Sequence, residues 1–280
     1  MTTPYPQQQG AFSASYTSPI PVRKATLGDA LASEWTKIRS VRSTMWTLGV
    51  MALLMLGLGL LVAAIVGSAD PDETGVADQS VLGLGFFGVL LSSVCVITLG
   101  VLTITSEYGT GMIRTTLTAC PSRGRVLAAK SLVFFLLVFS VTFVLTLVVG
   151  ALQVSLITGA PAPSGAEWAR GTLGVSLYLA FLGLLSLAVG TLIRHSAGAI
   201  TLMIGAVLLP LVAAMFMFAE SLQGVREAMF DYSIPNQIVM IYDSVPGESG
   251  PQGWEPVGIM MVISAIVLGS AYAVLKSRDV

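Results

Sequence analysis

The chain has 280 residues, of which 54% are hydrophobic and 10% charged, whereas soluble globular domains have about 45–50% apolar and about 25% charged residues. This composition excludes an ordinary soluble protein, and the mean hydropathy of +0.84 is typical of a chain that crosses a membrane several times. Because 14 Lys and Arg residues face 15 Asp and Glu residues, there is no excess positive charge to neutralise a phosphate backbone. No nucleic-acid partner is therefore expected.

The sequence divides into a tail and one membrane domain. Residues 1–25 are rich in Pro, Gln, Ser and Thr and show no apolar periodicity, so they are predicted to form a disordered cytoplasmic tail. The remainder, residues 26–280, is predicted to fold as a single domain that contains all the membrane spans.

The segment that follows the tail is predicted to be an amphipathic helix. Four apolar residues align on one helical face: Leu27, Leu31, Trp35 and Ile38. Four charged residues lie largely off that face: Asp29, Glu34, Lys37 and Arg39. Thr26 and Asp29 have the spacing of a helix-starting capping box. We expect this helix to lie in the membrane interface, the alternative being a cytoplasmic extension of the first span.

Six apolar segments without a charged residue are long enough to cross a bilayer as helices. They cover residues 45–67, 81–105, 131–157, 171–193, 197–219 and 257–275. A charge at mid-bilayer costs about 2.5–3.5 kcal/mol on insertion scales, so this segregation of charge is what lipid-embedded helices require. The sequence therefore predicts an all-α polytopic membrane protein with six spans.

The positive charges predict the orientation. Of the 14 Lys and Arg residues, all but Arg170 and Arg226 lie before the first span, in the connections after the second and fourth spans, or after the last span. By the positive-inside rule both termini are cytoplasmic. We expect a multi-pass protein of the cell membrane.

The first span carries small residues at four-residue spacing, namely Gly59, Ala63 and Gly67. Such a face lets two helices approach closely. Packing against a second subunit and packing within one subunit are equally compatible with this pattern.

The connection after the second span, residues 106–130, is the most informative polar segment. It is too long for a tight turn, and it contains a predicted short helix from Glu107 to Leu117 that ends before Pro121. Glu107 and Arg114 are seven residues apart, which places them on one helical face. A cytoplasmic docking site and a solvated loop that only fixes topology are both compatible with the segment.

Catalytic motifs do not emerge from the sequence. There is no Walker A pattern, no GxSxG and no CxxC. Gly83, Gly85 and Gly88 spell GxGxxG without a preceding strand, which indicates close helix packing, and His195 lies in a short polar turn beside Arg194. We therefore expect no catalytic, cofactor-binding or metal-binding residues in this chain.

The polar side chains inside the spans are neutral, and their hydroxyls are expected to bond their own helix backbone. Ion-coupled transporters normally keep a charged residue at membrane depth. A path without fixed charge suits an apolar or amphipathic compound better than a small ion.

The arrangement resembles type-2 ABC-transporter permeases, which combine an amphipathic elbow helix, six spans and a cytoplasmic coupling helix after the second span. The matching positions are Glu34 to Arg39 in the elbow, Glu107, Tyr108, Gly109, Gly111 and Arg114 in the coupling helix, and Pro121, Ser122, Arg123, Arg125 and Lys130 before the third span. The resemblance implies that the coupling helix docks on a separate cytoplasmic ABC ATPase, where ATP binds, and that a second permease subunit completes the transporter. It also suggests short helices around Ile234 to Tyr242 in the last outer loop.

The sequence as a whole favours the permease subunit of an ATP-driven exporter that moves an apolar or amphipathic compound outward. ATP hydrolysis is then expected on the partner chain, and this chain is not expected to be an enzyme. The alternatives are a non-transporting membrane scaffold and, with less support, a membrane-embedded enzyme.

Overall fold

The computed structural model describes residues 26–68, 80–120, 122–157, 160–243 and 250–277, so the predicted tail lies outside the described residues. The described part is helical. Its helices are α1 (Leu27–Ser40), α2 (Arg42–Ser68), α3 (Phe86–Gly109), α4 (Met112–Ala119), α5 (Arg123–Leu156), α6 (Gly165–Trp168), α7 (Val175–Ile193), α8 (Ser196–Met215), α9 (Gln223–Asp231), α10 (Ile234–Tyr242) and α11 (Glu255–Ser277). Short 3₁₀ segments cover Val81–Gly85 and Glu220–Leu222, and a π-helical segment, Ala169–Gly174, joins α6 to α7.

The six predicted spans are confirmed. Six helical segments are long and apolar enough to cross a membrane: Arg42–Ser68, Val81–Gly109, Arg123–Leu156, Gly165–Ile193, Ser196–Met215 and Glu255–Ser277. Several of these helices run past the predicted limits, because hydropathy marks the apolar part of a helix and the hydrogen-bonded backbone continues into polar residues. The fifth instead ends at Met215, four residues before its predicted end.

The core of the bundle is α7, which packs against α3, α5 and α11. Tyr178, Leu179 and Leu182 of α7 are fully buried. Glycines allow this packing: a Cβ on Gly100 of α3 would lie 2.6 Å from the carbonyl oxygen of Gly183 in α7. Helix α7 is therefore the internal helix around which the others assemble.

The predicted small-residue face of α2 packs within the same chain. A Cβ on Gly59 would lie 2.8 Å from Val149 Cγ1 of α5, and the amide Nε2 of Gln153 donates to the Gly59 carbonyl at 3.1 Å. Ala63 is fully buried. A Cβ on Gly67 would lie 3.3 Å from the Leu156 carbonyl oxygen, again on α5. Of the two predicted kinds of packing, the structure shows the one within a subunit.

Hydroxyl groups inside the spans behave as predicted. Thr105, Thr142 and Ser186 each donate to a carbonyl of their own helix, at 2.7–2.9 Å. Ser92 differs, because its hydroxyl donates across to the Met51 carbonyl of α2 at 3.1 Å. The prediction that most of these groups serve their own backbone is confirmed, while a few also join neighbouring helices.

The two ends of the bundle differ, and we name them by what they carry. The capped end is the end covered by α10, which begins at the N-cap Ser233 and buries Ile238, Ile241 and Tyr242 against the bundle. This helix coincides with the one that the resemblance suggests at Ile234 to Tyr242. The basic end is the opposite end, where α1, α4 and the turn between α7 and α8 lie.

Candidate coupling site at the basic end

Helix α1 begins as predicted. The Thr26 hydroxyl accepts from the Asp29 backbone N–H at 3.3 Å, and the Asp29 carboxylate accepts from the Thr26 N–H at 2.8 Å, which forms a capping box. Two of the predicted apolar residues, Leu27 and Trp35, are 47% and 45% exposed on the protein surface. Exposed apolar residues on this helix are compatible with the predicted position in a membrane interface.

The burial of Glu34 does not follow from its predicted place largely off the apolar face of α1. Glu34 is 3% exposed and is buried with Ile38 against the bundle. The physical reason is that a lysine from another helix supplies the countercharge that a buried carboxylate needs.

The boundary of the short helix also differs from the prediction. Glu107, Tyr108 and Gly109 form the last turn of α3, and a separate helix, α4, begins at Met112. The break occurs at Gly111, whose φ of +72° lies in the left-handed region that glycine adopts without steric cost. The predicted helix is thus two helices joined at Gly111.

Four charged side chains from three helices meet in a buried cluster, which we call the ion-pair cluster: Glu34, Lys37, Glu107 and Lys130. Lys130 Nζ contacts Glu34 Oε2 at 2.6 Å and Glu107 Oε1 at 2.8 Å. Lys37 Nζ contacts Glu34 Oε1 at 2.7 Å and Glu107 Oε1 at 2.9 Å. Each lysine therefore bridges both carboxylates, and the cluster joins α1, α3 and α5.

The cluster is almost closed to solvent. The side chains of Lys130, Glu107 and Glu34 are 2%, 3% and 4% exposed, and that of Lys37 is 24% exposed. Burial alone would lower the pKa of Lys37, but its hydrogen bonds to Glu34 and Glu107 outweigh this effect and raise the pKa above its usual value. With two lysines and two carboxylates the formal charges balance, which is the condition under which buried ions are tolerated.

Helix α4 is connected to this cluster. Lys37 Nζ also donates to the Thr116 hydroxyl of α4 at 3.4 Å. Ile113 of α4 is buried against the bundle, whereas Arg114 and Met112 are exposed. One face of α4 thus contacts the protein, and the other is available to a partner.

A second contact joins the end of α3 to the turn between α7 and α8. The Arg194 guanidinium lies over the Tyr108 ring, 5.0 Å from its centroid. Arg194 ends α7 in the left-handed conformation, with φ of 58°, and His195 then starts α8 by accepting from the Gly198 N–H at 3.1 Å. A cation over an aromatic face is a favourable contact. His195 is a helix-capping residue.

The residues predicted to couple to an ATPase differ in exposure, and Tyr108 is intermediate. Gly109, Gly111 and Arg114 are exposed. Glu107 is 2% exposed, and its carboxylate is bound by two lysines of the same chain. Any coupling role of Glu107 is therefore exercised through the ion-pair cluster and not by direct contact with a partner.

Sequence reasoning missed the partners of Glu107. Glu34, Lys37 and Lys130 were recognised only as parts of the elbow and of the segment before the third span. The available signal was the charge pattern at the span ends, where Glu34 and Lys37 are three residues apart on one helix and Lys130 directly precedes the third predicted span. That pattern does not say which charges meet.

The described fold is a polytopic α-helical bundle with a charged cluster and a short separate helix at one end. A family model for "ABC-2 family transporter protein" matches residues 30–219. This range covers more than half of the chain, so the chain belongs to the ABC-2 family of transporter permeases. The match includes every member of the ion-pair cluster. No curated protein matches the chain.

Proposed function

We propose that this chain is the permease subunit of an ATP-driven exporter, which moves an apolar or amphipathic compound outward by alternating access. ATP would bind and be hydrolysed on a cytoplasmic ABC ATPase, and a second permease subunit would complete the path. The ABC-2 family normally works with such an ATPase and usually dimerises. The basic end would face the cytoplasm of the cell, as the positive-inside rule predicts.

The link between α4 and the ion-pair cluster is the observation that carries this proposal. A helix of eight residues with one buried apolar side chain has little packing of its own. It contacts α3 and α5, and the Lys37–Thr116 hydrogen bond of 3.4 Å joins it to α1. A partner that moves α4 would therefore act on Lys37, which is bonded to carboxylates of both α1 and α3.

The exposed face of α4 is the proposed contact with the ATPase. Arg114 carries a permanent positive charge there, and Met112 beside it is 42% exposed. An arginine next to an exposed methionine suits a cleft with an apolar floor and a carboxylate at its rim. In this arrangement Arg114 would fix the position of α4, and the ion-pair cluster would pass its displacement to the spans.

The test is to purify the affinity-tagged full chain from its own cells in mild detergent and to identify any ATPase that remains bound. Arg114→Glu should abolish co-purification of the ATPase, because it reverses the charge at the proposed contact. Arg226→Glu makes the same change on α9, away from the basic end, and should retain the ATPase. Absence of any ATPase from the wild-type preparation, or equal recovery with both variants, would contradict the proposal.

A further inference from the structure

A small cavity lies inside the capped end, where α5, α10, the 3₁₀ segment Val81–Gly85 and the π-helical segment meet. Its volume is about 10 Å³, and a single buried water molecule needs about 10–15 Å³ of such space. None of the lining residues carries a charge, and the polar groups among them belong to Thr146, Gln153, Thr172 and Tyr242. The cavity therefore suits one small neutral molecule with hydrogen-bonding capacity.

Tyr242 brings an unused hydroxyl to this cavity. Its side chain is 5% exposed, and the hydroxyl makes no hydrogen bond with a described residue. The ring is held in place by the π-helical segment, because a Cβ on Gly171 would lie 3.3 Å from Tyr242 Cε1. A buried hydroxyl without a partner is unfavourable. A molecule in the cavity would remove this penalty.

Gln153 supplies a second unused group. It is 1% exposed, and its amide Nε2 donates to the Gly59 carbonyl at 3.1 Å. Its Oε1 accepts no hydrogen bond from a described residue, although a carboxamide oxygen has two lone pairs. The cavity thus has a free donor from Tyr242 and a free acceptor from Gln153.

Gly85 shows that both groups border the same space. A Cβ on this residue would lie 3.6 Å from Gln153 Nε2 and 3.7 Å from the Tyr242 hydroxyl oxygen, which are ordinary contact distances. Its φ of −72° is one that any residue adopts. Neither close packing nor backbone conformation requires glycine here. The space beside Gly85 is therefore open, and it is flanked by the two unused polar groups.

We propose that one water molecule is bound in this cavity as a fixed part of the structure. It would accept from the Tyr242 hydroxyl and donate to Gln153 Oε1. Its second hydrogen would face the Thr172 hydroxyl oxygen, which donates its own proton to the Trp168 carbonyl at 2.6 Å. Buried waters typically have two to four such partners.

The position of this water gives it a role at the capped end. Tyr242 is the last residue of α10, Thr172 belongs to the π-helical segment, and Gln153 already joins α5 to α2. The water would connect α10 to the bundle by hydrogen bonds, in addition to the apolar contacts of α10. The inference concerns the architecture of the capped end and does not depend on transport.

A structure of the full chain at a resolution that shows ordered water is the direct test. We expect one water within about 2.7–3.2 Å of both the Tyr242 hydroxyl oxygen and Gln153 Oε1. An empty cavity, or a direct hydrogen bond between these two side chains, would overturn the proposal.

Thermal unfolding of two variants in detergent gives a second test, because the sign of the effect depends on the water. Gly85→Ala places a methyl group in the cavity, and Tyr242→Phe removes the hydroxyl. With water bound, each variant should lower the melting temperature by about 2–4 °C, the shift expected for a lost hydrogen bond. In a dry cavity both should raise it, since the first fills space and the second removes an unpaired group.

The double variant separates the water from other causes of instability. In the Gly85→Ala background the Tyr242 hydroxyl has no water to bond, so Tyr242→Phe should raise the melting temperature there. Gly57→Ala is the matched control, because nothing lies within 4 Å of a Cβ at that position. In its background Tyr242→Phe should still lower the melting temperature. Additive effects of Gly85→Ala and Tyr242→Phe would overturn the proposal.

Discussion

At the basic end the bundle buries four charged side chains together, whereas at the capped end neutral groups make the comparable contacts. Glu34, Lys37, Glu107 and Lys130 neutralise one another within 3 Å. At the capped end, Gln153 bonds the Gly59 carbonyl and the Tyr178 hydroxyl bonds Gln237. Charge pairing therefore determines which helices contact one another at the basic end, whereas at the capped end the fit of neutral side chains mainly determines it.

The titratable groups of the two ends illustrate the difference. The pKa of Lys37 is raised because two carboxylates outweigh the effect of burial. At the capped end, burial raises the pKa of Asp243, and a hydrogen bond from the Ser80 N–H at 3.2 Å offsets only part of this. The two carboxylates thus outweigh burial and stabilise the charged form of Lys37, whereas burial prevails for Asp243 and favours its neutral form.

The largest expected effect comes from removing one charge of the cluster. Lys130→Met leaves Glu34 and Glu107 buried with Lys37 as their remaining cation, so we expect a loss of about 3–5 kcal/mol of stability. Thermal unfolding in detergent measures it. Lys37→Met should cost less, because the Lys37 side chain is 24% exposed. If the Lys130→Met variant were as stable as the wild type, the ion-pair cluster would not contribute substantially to the stability of the fold.

The next effect concerns function. Glu107→Gln keeps the side-chain shape but removes a charge shared by two lysines, so α4 should remain docked while its link to the spans weakens. Loss of such a contact can cost about 2–5 kcal/mol. Substrate-stimulated ATP hydrolysis of the reconstituted complex should fall, with the ATPase still bound.

Glu227→Gln is the matched control, since it makes the same change on α9, which lies away from the cluster. Equal stimulation in the two variants would argue against transmission through the ion-pair cluster.

A smaller loss of stability is expected at the capped end, where close packing and a neutral hydrogen bond join α2 to α5. Gly59→Leu places a side chain where a Cβ would already lie 2.8 Å from Val149, so we expect about 1–3 kcal/mol of destabilisation. Gly57→Leu introduces the same side chain two residues earlier, where nothing lies within 4 Å of a Cβ. Denaturant titration of both variants measures the difference, and equal midpoints would mean that α2 and α5 are not closely packed.

The smallest effect is expected for a neutral hydrogen bond at the capped end. Tyr178→Phe removes the 3.3 Å bond to Gln237, and one such bond contributes about 1 kcal/mol. Tyr232→Phe is the control, because Tyr232 is 58% exposed. If Tyr178→Phe destabilised the protein as much as Lys130→Met, the contrast between the two ends would be lost.

The sequence by itself determined the six spans and the start of α1. These features depend on residues that are close along the chain. Apolar runs identify membrane helices because the bilayer accepts no unpaired backbone group, and the Thr26–Asp29 capping box joins residues three apart. The short helix after the second span was also anticipated, although its start was placed before the break at Gly111.

The tertiary structure alone decided which distant residues meet. Lys130 and Glu34 are 96 residues apart, and nothing local distinguishes a lysine that fixes topology from one that neutralises a buried carboxylate. In the same way, the sequence alone leaves open whether the Gly59 face of α2 packs against a partner chain or against another helix of the same chain. The structure shows that it packs against α5. Charge pairing and close packing depend on distances between helices, and hydropathy along a single chain does not contain those distances.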